Sequence, residues 1–268
     1  MSTVNKIQVL QGILQQIDKV TVAVSGGVDS MTLGYVAHQT LGRKAKMVHA
    51  TSSAVPSADT RRIQKYAKEQ GWQLELVQTG EMQDMAYRNN PVNRCYHCKS
   101  ALYSTLKSLD FGQVVSGTNM DDLSDYRPGL IAANEKAIRH PFVEADIDKA
   151  TIRRIAQHYQ LADIAFLPAS PCLASRVETG VFIQPEQLDL INRVETSLRQ
   201  QINAENIRCR LLAQRLVLQI DEDELSTLHE TLINRIIADT ESMASEVGLT
   251  LPVDVAPYKR GSAFVRVA

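Results

Sequence analysis

Val4, Ile7, Leu10, Leu14 and Ile17 recur at intervals of three and four residues, which lays one apolar stripe along a helix over about residues 4 to 17. Val20-Thr21-Val22-Ala23-Val24 then reads as a short apolar strand, and a helix follows over about 30 to 41. The alternation continues with a strand Lys46-Met47-Val48-His49-Ala50, a helix over about 57 to 70, and a strand from Gln73 to Gln78 beginning after Gly71. A helix near 98 to 109, the strand Gln113-Val114-Val115-Ser116, and a helix from near Asp148 to about Tyr159 complete this part. Strands alternating with helices predict an α/β fold, a doubly wound parallel sheet with helices on both faces. Ligands of such sheets gather at the carboxyl ends of the strands. Three of those ends read Ser25-Gly26-Gly27, Thr51-Ser52-Ser53 and Gly117-Thr118-Asn119, small or polar and open to a ligand.

After Pro168-Ala169-Ser170-Pro171 the texture changes to a helix over about 185 to 200, an extended stretch from Ile207 to Ile220, a helix over about 221 to 247, and a strand from Leu249 to Val255. At 268 residues the chain exceeds the usual size of one domain. The expected division is a nucleotide-binding domain over 1–175 and a smaller α+β domain for substrate and self-association over 176–268.

The most specific local signal is Ser25-Gly26-Gly27-Val28-Asp29-Ser30, between the first strand and the next helix. Adjacent glycines there let backbone N–H groups turn toward an anion, and the helix N-terminus adds its partial positive charge. The segment is neither a Walker loop nor a dinucleotide fingerprint, which need other glycine spacings. It resembles the pyrophosphate loop of enzymes that split ATP into AMP and pyrophosphate to adenylate a carbonyl oxygen. A Gly-Gly turn capped by Asp29 or Ser30 would explain the helix start but not the whole hexapeptide.

Apolar residues make up 44% of the chain and the net charge is −1, without a long basic run, so the electrostatic footprint of a nucleic-acid binder is missing. The N-terminal residues lack the apolar core of a signal peptide, and no stretch has eighteen uncharged apolar residues, so a cytoplasmic protein with no membrane partner is expected. In that reducing compartment Cys95, Cys98, Cys172 and Cys209 read as metal-binding, catalytic or buried thiols rather than disulfides.

Cys95-Tyr96-His97-Cys98 is a Cys-x-x-Cys pair, the spacing that brings two sulfurs onto one metal or cluster, with Arg94 and Lys99 beside it to favour thiolates. Closed zinc geometry would need Cys172 plus His97 or Cys209. Cys172 stands between two prolines upstream and Arg176 downstream, suiting an ionised thiol held in place, or a simple hinge. In Ile207-Arg208-Cys209-Arg210-Leu211 an extended strand points both arginines to one face and Cys209 to the other, which predicts a small buried hydrophobe at Cys209.

With Asp125-Tyr126-Arg127-Pro128-Gly129-Leu130, Glu144-Ala145-Asp146, Pro171-Cys172-Leu173-Ala174-Ser175-Arg176 and Pro257-Tyr258-Lys259-Arg260-Gly261-Ser262, the motifs coincide with a known group. The chain resembles the LarE family of ATP-dependent sulfur transferases, in the pyrophosphate-loop ATP pyrophosphatase superfamily. The resemblance implies adenylation of a carboxylate of pyridinium-3,5-biscarboxylic acid mononucleotide and replacement of AMP by sulfur, for the nickel-pincer cofactor of lactate racemase. It implies that the loop and the strand leading into it, Ala23, Val24, Ser25, Gly26, Gly27, Asp29 and Ser30, hold ATP and Mg2+ together with Thr51, Gly117 and Thr118. Arg127, Arg208 and Arg210 are its candidates for phosphate or carboxylate contacts, while Glu144 and Asp146 look structural. In one branch of the family a cysteine at the position of Cys172 gives up its own sulfur. Another carries a Cys-x-x-Cys in addition, and Cys95, Cys98 and Cys172 assign this chain to that branch, with a 4Fe–4S cluster whose open iron takes sulfide. Sulfide or a sulfur-donor protein and a homo-oligomer are the implied partners. A tRNA thiolase, an amidating ligase, or a nucleotide-binding protein with structural zinc are the competing readings.

Overall fold

The structure is a computed structural model that describes residues 2–124 and 127–263. Asp125 and Tyr126 of the Asp125–Leu130 motif thus lie outside the described residues. The chain falls into two compact units, one of Met1–Ser52, Ser57–Glu81 and Cys95–Ser170, the other of Ser53–Pro56, Met82–Arg94 and Pro171–Ala268.

The first unit is built on a parallel sheet of β1 (Val20–Ala23), β2 (Ala45–Ala50), β3 (Gln73–Val77) and β4 (Gln113–Val115), in the order β3-β2-β1-β4. Adjacent residues of a strand face opposite sides of a sheet. Accordingly Val115 joins one core with Val20, Val22 and Met47, while its neighbour Val114 joins another with Val48. The first core is closed by α1 (Thr3–Ile17) through Ile7, Leu10 and Leu14, by α2 (Val28–Leu41) through Met31, Leu33 and Val36, and by α3 (Ser57–Gln70) through Ile63. The second is closed by Tyr103 and Leu106 of the helix Arg94–Ser108 and by Ala132 and Ala133 of the helix Pro128–Glu135. Both faces of the sheet are therefore covered, the doubly wound arrangement the alternation predicts.

Several boundaries differ from the pattern. Val4 is exposed, so the stripe of α1 is buried only from Ile7 onward. The second helix begins at Val28, not near 30, because Gly27 caps it and accepts the Met31 N–H at 3.0 Å. The Cys-x-x-Cys helix begins at Arg94, not near 98, its first N–H donating to Pro91 O at 2.9 Å. Cys95 and Cys98 therefore sit three residues apart within its opening turn, on one helix face.

In the second unit, β5 (Ile207–Leu211) and β6 (Leu216–Ile220) pair antiparallel, splitting the expected continuous stretch, and β7 (Val253–Pro257) pairs parallel with β6. The expected helix over 221 to 247 is two, Glu222–Thr227 and Glu230–Glu246. Ser226 and Thr227 turn their hydroxyls back onto Asp223 O and Glu224 O, and the His229 side chain caps the next helix on Thr231 N, local bonds that compete with a continuous ladder. No helix among the described residues is long and apolar enough to cross a membrane.

Candidate active site

The strand order places a topological switch point between β1 and β4, where an open α/β sheet leaves a crevice at its carboxyl edge. The pyrophosphate-loop segment leaves β1 there. Val24 extends the sheet, its N–H donating to Val48 O at 3.0 Å, and the chain then turns at Gly26, whose φ of +85° an L side chain rarely adopts. A Cβ on Gly26 would also lie 2.6 Å from Asp59 Cβ, so glycine is required twice over. Arg62 fixes the turn, donating to Gly26 O at 2.9 Å and to Asp59 Oδ1 at 2.6 Å. Across the loop, Ser30 Oγ receives the Ser25 N–H at 3.0 Å, lies 3.1 Å from Ser25 Oγ and donates to Gly27 O at 3.2 Å. The first N–H groups of α2 have no partner within the helix, and with the two hydroxyls they give the loop the kind of donors that an anion site uses.

Opposite the loop, Ser116, Gly117 and Thr118 leave β4. A Cβ on Gly117 would stand 2.9 Å from both the Asp29 carbonyl carbon and the Ser30 nitrogen, so the chain leaving β4 meets the first turn of α2 without room for a side chain. Gly117→Ala should push the loop away from its place, costing about 1–3 kcal/mol of stability as overpacking does and weakening ATP binding; calorimetric titration that finds parental affinity would contradict this packing role. Thr118 Oγ1 lies 3.1 Å from Ser116 Oγ, which itself lies 2.9 Å from His140 Nδ1. Ala23 ends β1. Thr51 stands at the end of β2 with its hydroxyl donated to Val77 O at 3.2 Å, tying it to the sheet.

Asp29, in the first turn of α2, carries the charge that a divalent cation would use. Its Oδ2 is 2.5 Å from Lys149 Nζ, while its Oδ1 is buried without a hydrogen-bond partner. Burial pushes the Asp29 carboxyl above its ordinary range, outweighing the lowering by Lys149. An orphaned carboxylate oxygen beside the Ser25–Ser30 loop fits Mg2+, a hard cation that takes oxygen ligands from carboxylate and phosphate together. Arg127 pairs with Asp122 at 2.7 Å. Glu144 and Asp146 are structural here, Glu144 receiving Arg139 Nε at 3.0 Å and Asp146 accepting Lys6 Nζ at 3.1 Å.

The second unit holds Cys172, Arg208 and Arg210. Cys172 is exposed, and its backbone is held by Arg176, whose Nη1 donates to Cys172 O at 3.2 Å and Pro171 O at 2.6 Å. Arg176 is in turn clamped bidentately by Glu195, Nε to Oε1 at 2.9 Å and Nη2 to Oε2 at 3.0 Å, and Glu195 also accepts the Cys209 N–H at 3.1 Å. Arg210 donates to Gln219 Oε1 at 3.1 Å and Ser175 O at 3.0 Å, and Arg208 lies 5.7 Å from the Tyr258 ring centroid. Burial, then the nearby guanidiniums, push Arg208 down and Arg210 down to about 10. This crowd of like charge suits a bound phosphate or carboxylate. Glu195→Gln should cost about 3–5 kcal/mol, since it breaks a buried pair and leaves Arg176 uncompensated; a denaturant midpoint unchanged from the parent would contradict that. The sequence offers Arg176 only as a cation near Cys172 and gives Glu195 no role: nothing local marks the burial of Arg176 or its partner nineteen residues on.

Cys95 is exposed, Cys98 half-buried and Cys209 buried, and no disulfide joins the four cysteines. Burial pushes the Cys209 thiol far up, so it stays protonated and inert. Among the described residues no group of three or more His, Cys, Asp or Glu side chains is gathered as a metal site. Cys95 and Cys172, exposed, and Cys98, half-buried, are thiols of the type that iron–sulfur clusters take as ligands.

No family model matches the chain. It is 39% identical over 202 residues to the uncharacterized protein slr1717 of Synechocystis, covering 73% of this chain and 74% of that one. It is 30% identical over 216 residues to the uncharacterized protein MJ0830 of Methanocaldococcus jannaschii, covering 79% and 81%. It is 29% identical over 191 residues to the pyridinium-3,5-bisthiocarboxylic acid mononucleotide synthase of Lactiplantibacillus plantarum, covering 69% of each. The chain thus belongs to the family of slr1717 and MJ0830 and is a distant homologue of the mononucleotide synthase.

Proposed function

We propose that the protein is an ATP-dependent sulfur transferase that activates a carboxylate of a pyridinium mononucleotide and exchanges its oxygen for sulfur. The observation that carries this reading is the loop at the switch point, where the Ser25–Ser30 cradle, Gly117 and the orphaned Asp29 oxygen stand together. The name of the distant homologue from Lactiplantibacillus plantarum supports the substrate class.

In this reading the first unit carries activation. Ser25, Gly26, Gly27 and Ser30 hold the β- and γ-phosphates, Asp29 holds Mg2+, and Ala23, Val24, Thr51, Gly117, Thr118 and Arg127 frame the nucleotide. A carboxylate oxygen of the substrate attacks the α-phosphorus, the bond to the bridging oxygen breaks, and pyrophosphate leaves. The product is an acyl adenylate, needed because a carboxylate itself is a poor electrophile. A sulfur nucleophile then attacks the carbonyl carbon, and AMP departs with the former carboxylate oxygen.

The second unit supplies the anion site. Arg208 and Arg210 take the substrate phosphate or its second carboxylate, and Arg176 holds the Cys172 turn. Cys95, Cys98 and Cys172 are proposed to bind a 4Fe–4S cluster, which when present supplies an open iron for sulfide. Incubation with ATP, Mg2+, sulfide and the pyridinium dicarboxylate mononucleotide should yield AMP, pyrophosphate and a thiocarboxylate in equal amounts. ATP turnover indifferent to the carboxylate would overturn the reading.

A further inference from the structure

Lys149 reaches the loop from a different part of the first unit and belongs to no motif in the sequence. Its backbone is fixed: its N–H donates to Asp121 Oδ2 at 3.0 Å, and the preceding residue, Asp148, caps the helix Lys149–His158 by accepting the Thr151 N–H at 2.7 Å. Its ammonium ends 2.5 Å from Asp29 Oδ2, with the side chain 36% exposed and therefore able to swing. The neighbouring cations are tied down. Arg62 is spent on Gly26 O and Asp59, and Arg153 on Ala165 O and Leu167 O.

Asp29 has one oxygen on Lys149 and the other buried without a partner. A divalent cation there would take over as its counter-ion and release the ammonium beside the phosphates. Lysine suits such an exchange, being a compact charge on a flexible stem with three donors. Resting on the ATP reading above, we propose that Lys149 is a phosphate-binding residue that pairs with Asp29 in the nucleotide-free protein and moves to the oxygens of the leaving pyrophosphate when magnesium and ATP bind.

The test is equilibrium binding of ATP and AMP to the parent and to Lys149→Met, Lys149→Arg, Asp29→Asn and the double variant, with Mg2+ and with EDTA. Lys149→Met should weaken magnesium–ATP binding about tenfold, the factor that about 1.4 kcal/mol represents, with AMP binding unchanged and Lys149→Arg near the parent. In EDTA, Asp29→Asn should bind ATP more tightly than the parent, because it frees the ammonium, and Lys149→Met should cancel that gain. Parental ATP affinity in a folded Lys149→Met variant, or an equal gain from Asp29→Asn in its presence and absence, would overturn the proposal and reduce Lys149 to a structural partner of Asp29. Failure of the parent itself to bind ATP would instead refute the underlying ATP reading.

Discussion

Asp29→Asn is expected to abolish release of pyrophosphate from ATP without harming the fold. A metal ion that bridges phosphate oxygens supplies several kcal/mol of transition-state stabilisation, so the loss should be at least about 100-fold. Stability should move the other way. Burial raises the Asp29 carboxyl above the ordinary 3.8, so its contribution to stability is complete below that value and is lost as pH rises through the raised one. Above the raised value the ionised group is thus a net cost. The amide removes it, and Lys149, being 36% exposed, regains water. Melting curves at pH 7.5 should place Asp29→Asn at or above the parent, with the gap closing in acid. A marked fall in melting temperature would make Asp29 a structural residue whose loss of activity says nothing about magnesium.

The second large effect concerns the cysteines. Cys95→Ser, Cys98→Ser and Cys172→Ser should each keep pyrophosphate release but lose sulfur transfer. Protein purified without oxygen should carry about four irons and four acid-labile sulfides per chain, as a 4Fe–4S cluster does, and each substitution should remove them. Cys209→Ser should change neither, because Cys209 is buried among the strands of the second unit and burial holds its thiol protonated. Zinc in place of iron, or no metal with Cys172 lighter by hydrogen sulfide after one turnover, would instead make Cys172 a sacrificial donor.

The first unit was legible because its strands are short apolar runs that alternate with amphipathic helices, and because Ser25–Ser30 occupies one strand-to-helix turn. Strand order was not, since nothing within Gln113-Val114-Val115 says that it pairs with β1. Helices of four residues, such as Met85–Arg88 and Pro141–Glu144, are too short to show a period. The break at Leu228–His229 depends on side-chain bonds that compete with a helix otherwise well patterned. The site divides the same way. The glycines and serines of Ser25–Ser30 are contiguous and carry their own signature. Lys149 lies 120 residues from Asp29, and the Arg176–Glu195 clamp joins a turn to a helix, so only folding reveals either.

Adenylation of a carboxylate is the central claim, and transfer of heavy oxygen tests it most directly. With 18O in the carboxylates of the pyridinium mononucleotide, AMP recovered from the reaction should carry one labelled oxygen for each sulfur gained by the product. Unlabelled AMP, or a thiolated product formed without AMP, would contradict the account.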